Sequence, residues 1–222
     1  MSAFRTILFK DLRVELRTLQ SLPAMALFAV TTFVIFRFGL DRTDLEGSLA
    51  AGVLLVTILF AALLAINRLF VAERDEGGFD AIRLAPIDPA QLFLAKVVAL
   101  FIYLLALEVI ALPVFAVFFG TEAGALPSVL AVLALVNLGL AATGVLVSTI
   151  GANSRARDLL TPLVLLPLIV PLMIAAAGAA DPLLAAGGPS LSDAGKWMAS
   201  LALYDLVFLL VGYAVYEFLL ED

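Results

Sequence analysis

The chain has 222 residues, of which 64% are hydrophobic and only 14% charged, with a mean hydropathy of +1.14. Soluble domains are about 45–50% apolar and about 25% charged, and a soluble fold of this length has too little interior to hide the surplus, so lipid has to be the solvent. A net charge of −6 excludes a broad basic field for nucleic acid, and the lack of cysteine and histidine excludes disulfides, thiol chemistry and Cys/His zinc sites.

At the N-terminus, Arg5, Lys10, Asp11, Arg13, Glu15 and Arg17 stand where a signal peptide would have its apolar core, so no secretory signal peptide is expected. Phe4, Ile7, Leu8, Leu12, Leu16 and Leu19 recur at helical spacing with the charges on the other side. That pattern predicts an amphipathic helix over 1–20, lying flat in the inner membrane interface. A helix needs about 20 apolar residues to cross the hydrocarbon. By that rule six spans are expected near 22–40, 48–67, 92–119, 127–150, 159–179 and 197–219, the third long enough to include an interfacial turn. The segment 183–196, with Leu183, Leu184 and Leu191 before Lys196 and Trp197, reads as a weaker interfacial counterpart on the other side. The expected fold is one all-α domain over 1–222, a polytopic membrane protein.

Orientation follows from lysine and arginine, which accumulate on the cytoplasmic side. With the N-terminus inside, Arg5, Lys10, Arg13, Arg17, Arg68, Arg74, Arg83, Lys96, Arg155 and Arg157 fall on the cytoplasmic side and only Arg37, Arg42 and Lys196 outside. Both termini are therefore expected in the cytoplasm.

The cytoplasmic loop after the second span is the most informative stretch. An acidic short helix, Glu73-Arg74-Asp75-Glu76, breaks at Gly77-Gly78 and resumes as a turn from Phe79-Asp80, until Pro86 and Pro89 bar further helix. Either this element docks a cytoplasmic partner, or it is a solvated connector. Within the spans, Glu108, Asn137 and Asp205, with Tyr103 nearby, are polar groups at a depth where an ionisable side chain is costly. They form either a functional polar seam or a set of interhelical hydrogen bonds. Pro162, Pro167 and Pro171 interrupt the fifth span, as a mobile kink or a static irregularity. Gly47–Gly52 and Gly139–Gly144 place small residues for helix packing. No G-x-x-x-x-G-K-[ST] phosphate loop, G-x-S-x-G elbow or H-E-x-x-H pair is present, so no catalytic residues are assigned and the chain is not read as an enzyme.

Three stretches carry a resemblance that covers nearly the whole chain. They are Phe9-Lys10-Asp11-Leu12-Arg13-Val14-Glu15-Leu16-Arg17, then Leu63-Leu64-Ala65-Ile66-Asn67-Arg68-Leu69-Phe70 through the Gly-Gly turn to Ala95-Lys96-Val97, and Arg157-Asp158-Leu159-Leu160-Thr161-Pro162 through Pro167 to Pro171. In this order they resemble the membrane subunits of ABC-2-type exporters, and more closely the CcmB family, the haem exporter permeases of cytochrome c maturation. The resemblance implies a second copy of the chain and a separate ATP-binding subunit (CcmA-like) docked on 73–80. It also implies membrane haem-handling proteins (CcmC/CcmD-like), a periplasmic haem chaperone (CcmE-like) and a place in the bacterial inner membrane. Haem would be a substrate of the complex and ATP would bind the partner, with no cofactor or metal held by this chain. The absence of histidine fits a mechanical role better than haem ligation. Two rivals are a general ABC-2 permease for lipid, drug or polysaccharide, and a non-transporting membrane scaffold.

Overall fold

A computed structural model describes residues 3–19, 21–40, 45–68, 88–151, 157–186 and 189–221, and among these every regular element is helical. The helices are α1 (Ala3–Thr18), α2 (Ser21–Gly39), α3 (Gly47–Arg68), α4 (Pro89–Phe119), α5 (Leu126–Gly151), α6 (Arg157–Ala180) and α7 (Leu191–Glu221), with a 3-10 turn at Asp181–Leu183. Six of them, α2 to α7, are long and apolar enough to cross a membrane. The shortest, α2, has 19 residues and rises about 28 Å at 1.5 Å per residue, close to the roughly 30 Å of a bilayer's hydrocarbon. The protein is a multi-pass membrane protein.

Local chemistry explains where the helices start and stop. Asp88 caps α4: its Oδ1 accepts from the Ala90 N–H at 2.9 Å, Pro89 fills the first helical position, and Gly120 ends the helix at φ 68°. No interfacial turn interrupts α4, whose 31 residues run on past Pro113. Between α1 and α2, Leu19 adopts φ 47° and the Glu15 carboxylate accepts from the Ser21 and Leu22 N–H groups at 2.8 and 2.9 Å. One acidic side chain of α1 thus satisfies two orphan donors of α2. At the opposite end, Gly47 (φ 55°) donates its N–H to the Leu184 carbonyl at 2.7 Å.

The expectation for 183–196, and with it the start of the last span at 197, changes. The segment 183–196 is not a separate interfacial helix: Asp181–Leu183 is a single 3-10 turn, and α7 is already helical from Leu191. The Ser190 hydroxyl donates to Asp193 Oδ2 at 2.7 Å there, so polar residues open a helix whose apolar run starts later. Trp197 lies over Gly178, joining α7 to the end of α6.

α5 is the central helix, packed by α3, α4, α6 and α7. Two glycines permit this. A Cβ on Gly139 would stand 2.7 Å from Asp205 Oδ1 and from Leu172 Cδ1, and one on Gly144 would stand 2.5 Å from Ile66 Cδ1. These close approaches let α6 and α7 on one side, and α3 on another, come near the α5 backbone. α2 packs on α3, where Phe28 lies 6.3 Å from Phe60, and on α4 through Phe33, edge-on to Phe115 at 5.4 Å; α7 meets α4 where Phe93 lies 5.2 Å from Tyr216. Large apolar side chains such as Leu27, Phe38, Val117, Leu163, Leu203 and Phe218 point outward, as a hydrocarbon solvent allows.

Candidate functional site: polar groups inside the bundle

The four polar residues singled out in the spans occupy three settings. Glu108 of α4 is 1% exposed, and its Oε1 accepts from Asn137 Nδ2 of α5 at 2.7 Å. Asp205 of α7, 2% exposed, lies against Gly139 of α5. Positions 137 and 139 are about 200° apart around a helix and about 3 Å apart along it. The two carboxyls therefore approach α5 from opposite sides at nearly one level. Tyr103 belongs elsewhere: its hydroxyl donates to the Asp11 carbonyl at 2.9 Å, joining α4 to α1.

Among the described residues, neither carboxyl forms an ion pair, and Glu108 Oε2, Asn137 Oδ1 and both oxygens of Asp205 accept no hydrogen bond. Buried acceptors without donors are rare because each forfeits its hydration. Here four lie at nearly one level of the bundle. Around them the α5–α7 contact is hydroxyl-rich. Tyr204 Oη donates to the Leu168 carbonyl and lies 3.1 Å from Thr143 Oγ1, and Thr149 Oγ1 donates to Tyr216 Oη at 3.1 Å. Leu168 stands between Pro167 and Pro171, which with Pro162 lie inside a helix that continues through all three. Tyr204 thus bonds a carbonyl one residue beyond that of Pro167, the group that loses its helical donor to Pro171.

Sequence reasoning missed a second polar centre, at the α1 end. Lys96 of α4 is 1% exposed and its Nζ lies 2.9 Å from Asp11 Oδ2. Lys10 lies 3.1 Å from the other oxygen, and the Phe4 N–H donates to Gln91 Oε1 at 3.3 Å. The first half of the apolar stripe of α1 is correspondingly spent on protein: Ile7 is core, with Phe4 and Leu8 packed against it, while Leu16 and Leu19 are exposed. The signal was available, since Asp11 falls inside that stripe and Lys96 inside an apolar run, and each misplaced charge implies a partner.

At the opposite end, the α2–α3, α4–α5 and α6–α7 connections converge on a pocket of about 160 Å³ lined by Glu46, Thr121, Glu122 and Leu184 among others. The loop residues Glu73, Arg74, Asp75, Glu76, Gly77, Gly78, Phe79 and Asp80 lie outside the described residues. The described residues contain no cluster of His, Cys, Asp or Glu able to hold a metal ion.

Comparison with known proteins places this arrangement. A family model described as CcmB protein matches residues 2–217. The Heme exporter protein B of Pseudomonas aeruginosa is 28% identical over 203 residues, covering 90% of this chain and 89% of that protein. Those of Rhodobacter capsulatus and Paracoccus denitrificans are each 28% identical, over 171 and 172 residues, covering 77% of this chain and 78% of either protein. Because the family match runs from α1 through all six spans, the chain belongs to the CcmB protein family.

Proposed function

We propose that this chain is the permease subunit of an ABC transporter serving cytochrome c-type biogenesis. In this reading ATP hydrolysis in a separate subunit drives either haem export or the release of haem from a periplasmic haem chaperone. The observation that carries it is the family match over 2–217, together with relatives of matching length whose names denote haem export. The chain sits in the inner membrane with both termini in the cytoplasm, pairs with a second copy, and receives a CcmA-like ATPase on the loop 73–80. CcmC/CcmD-like membrane proteins and a CcmE-like chaperone handle the haem. The chain acts mechanically and holds no cofactor, which agrees with its lack of histidine.

The decisive test is mass spectrometry of what co-purifies with the tagged chain from its own membranes in mild detergent. An ATP-binding subunit together with haem-handling proteins is expected. An ATPase alone would favour a general ABC-2 exporter, and no ATPase would overturn the reading. Reversing Glu73, Asp75 and Glu76 to lysine is expected to abolish ATPase co-purification while the protein still inserts; unchanged recovery would remove the loop from the docking site.

A further inference from the structure

α1 is charge-segregated. Its acids face inward: Asp11 is 7% exposed against Lys96, and Glu15 is engaged with the start of α2. Its bases, Arg5, Lys10, Arg13 and Arg17, are all on the exposed side, although the chain as a whole is acidic. Between them Phe9 is 52% and Leu16 74% exposed. Thr6, Phe9, Lys10, Arg13, Val14 and Arg17 line one shallow groove along this face. The stripe packs on protein only through Phe4, Ile7 and Leu8, and the face turned outward is basic and set with large apolar side chains, Leu16 of the stripe among them.

From these contacts we infer that the groove binds the phosphate headgroup of an acidic phospholipid in the leaflet at the α1 end. Lys10, Arg13 and Arg17 meet the phosphate, while Phe9, Val14 and Leu16 lie toward the acyl chains. Two observations choose lipid over a soluble protein. The first is charge complementarity combined with apolar exposure on one helix face, the pattern of interfacial helices. The second is depth: α2 has only enough length to cross the hydrocarbon, so Ser21 stands at its boundary, and α1 ends three residues earlier. The C-terminal end of the basic face, at Arg17, is thereby held at headgroup level.

The test uses the purified full-length chain in detergent, with phosphatidylglycerol or phosphatidylcholine of identical acyl chains added. Native mass spectrometry reads retained lipid and thermal unfolding reads stabilisation. Phosphatidylglycerol is expected to be retained preferentially and to raise the unfolding temperature more, an advantage that shrinks with salt. The triple variant K10Q/R13Q/R17Q is expected to lose this preference by about tenfold or more. The charge-conserving K10R/R13K/R17K is expected to keep it. Unfolding without added lipid checks that each variant is folded; should the triple variant fail that check, R13Q and R17Q alone carry the comparison. Equal retention of the two lipids by the wild-type chain would overturn the inference. So would a triple variant that keeps its lipid preference but loses a co-purifying protein, which would give the face to a protein partner.

Discussion

At the scale of single residues, the buried carboxyls and the glycine beneath one of them make separable predictions. Asn137→Leu removes the donor to Glu108 and leaves a buried carboxyl unsatisfied. It should cost about 1–3 kcal/mol, read as a fall of about 2–4 °C in unfolding temperature per kcal/mol. Glu108→Gln keeps an acceptor toward Asn137, so the protein should accumulate and unfold as the wild type does. Its c-type cytochrome yield should nonetheless drop; full yield would make Glu108 a packing residue. Gly139→Ala should destabilise by about 1–3 kcal/mol through overpacking against Asp205 and Leu172. Gly52→Ala, with nothing within 4 Å of a new Cβ, should be neutral or slightly stabilising in the same melt. Which residues were polar at mid-depth was legible in the sequence. Their partners were not, because pairing Glu108 with Asn137 and setting Asp205 against Gly139 depends on how α4 and α7 are rotated about α5, and composition carries no record of rotation.

At the scale of elements, spans were readable wherever an apolar run begins and ends sharply, as in α3 between Gly47 and Arg68. The reading was late for α7, whose first turns hold Ser192, Asp193 and Lys196 and look like a connector until the Ser190 hydroxyl is seen to bond Asp193 across the first turn. For α1 the stripe was found but not what covers it, since protein and lipid reward the same periodicity. The Asp11–Lys96 bond is the element-level device that decides the matter. Lys96→Met should leave Asp11 buried with half-exposed Lys10 as its remaining ion-pair partner among the described residues, at a cost of about 3 kcal/mol, the low end for a broken buried pair. The double variant K96M/D11L should regain most of that loss. A double variant no better than K96M would show that the two charges contribute independently.

At the scale of the whole molecule, the contacts sort the connections to two ends. Phe4 with Gln91 and Phe93 with Tyr216 gather α1, the start of α4 and the end of α7; Gly47 with Leu184 gathers the other end. The chain has no cysteine, so single cysteines report sidedness without background. In intact cells, a membrane-impermeant maleimide should label Glu122→Cys. It should label Thr18→Cys only after the inner membrane is opened. Labelling in the reverse order would invert the orientation drawn from lysine and arginine.

The seat of α1 also has a history in time. Its contacts on α4 join residues up to 92 positions apart, the span from Asp11 to Tyr103. At a synthesis rate of about 5–20 residues per second, roughly 5–20 s pass between the ribosome's release of the first partner and of the second. During that interval Phe4, Ile7 and Leu8 have no protein to cover them and Asp11 has no lysine from α4. The contacts of the nascent helix with α4 can therefore form only after that helix has been made. An N-terminal segment that looks like a surface anchor in the sequence becomes a clasp only when the third crossing has been made.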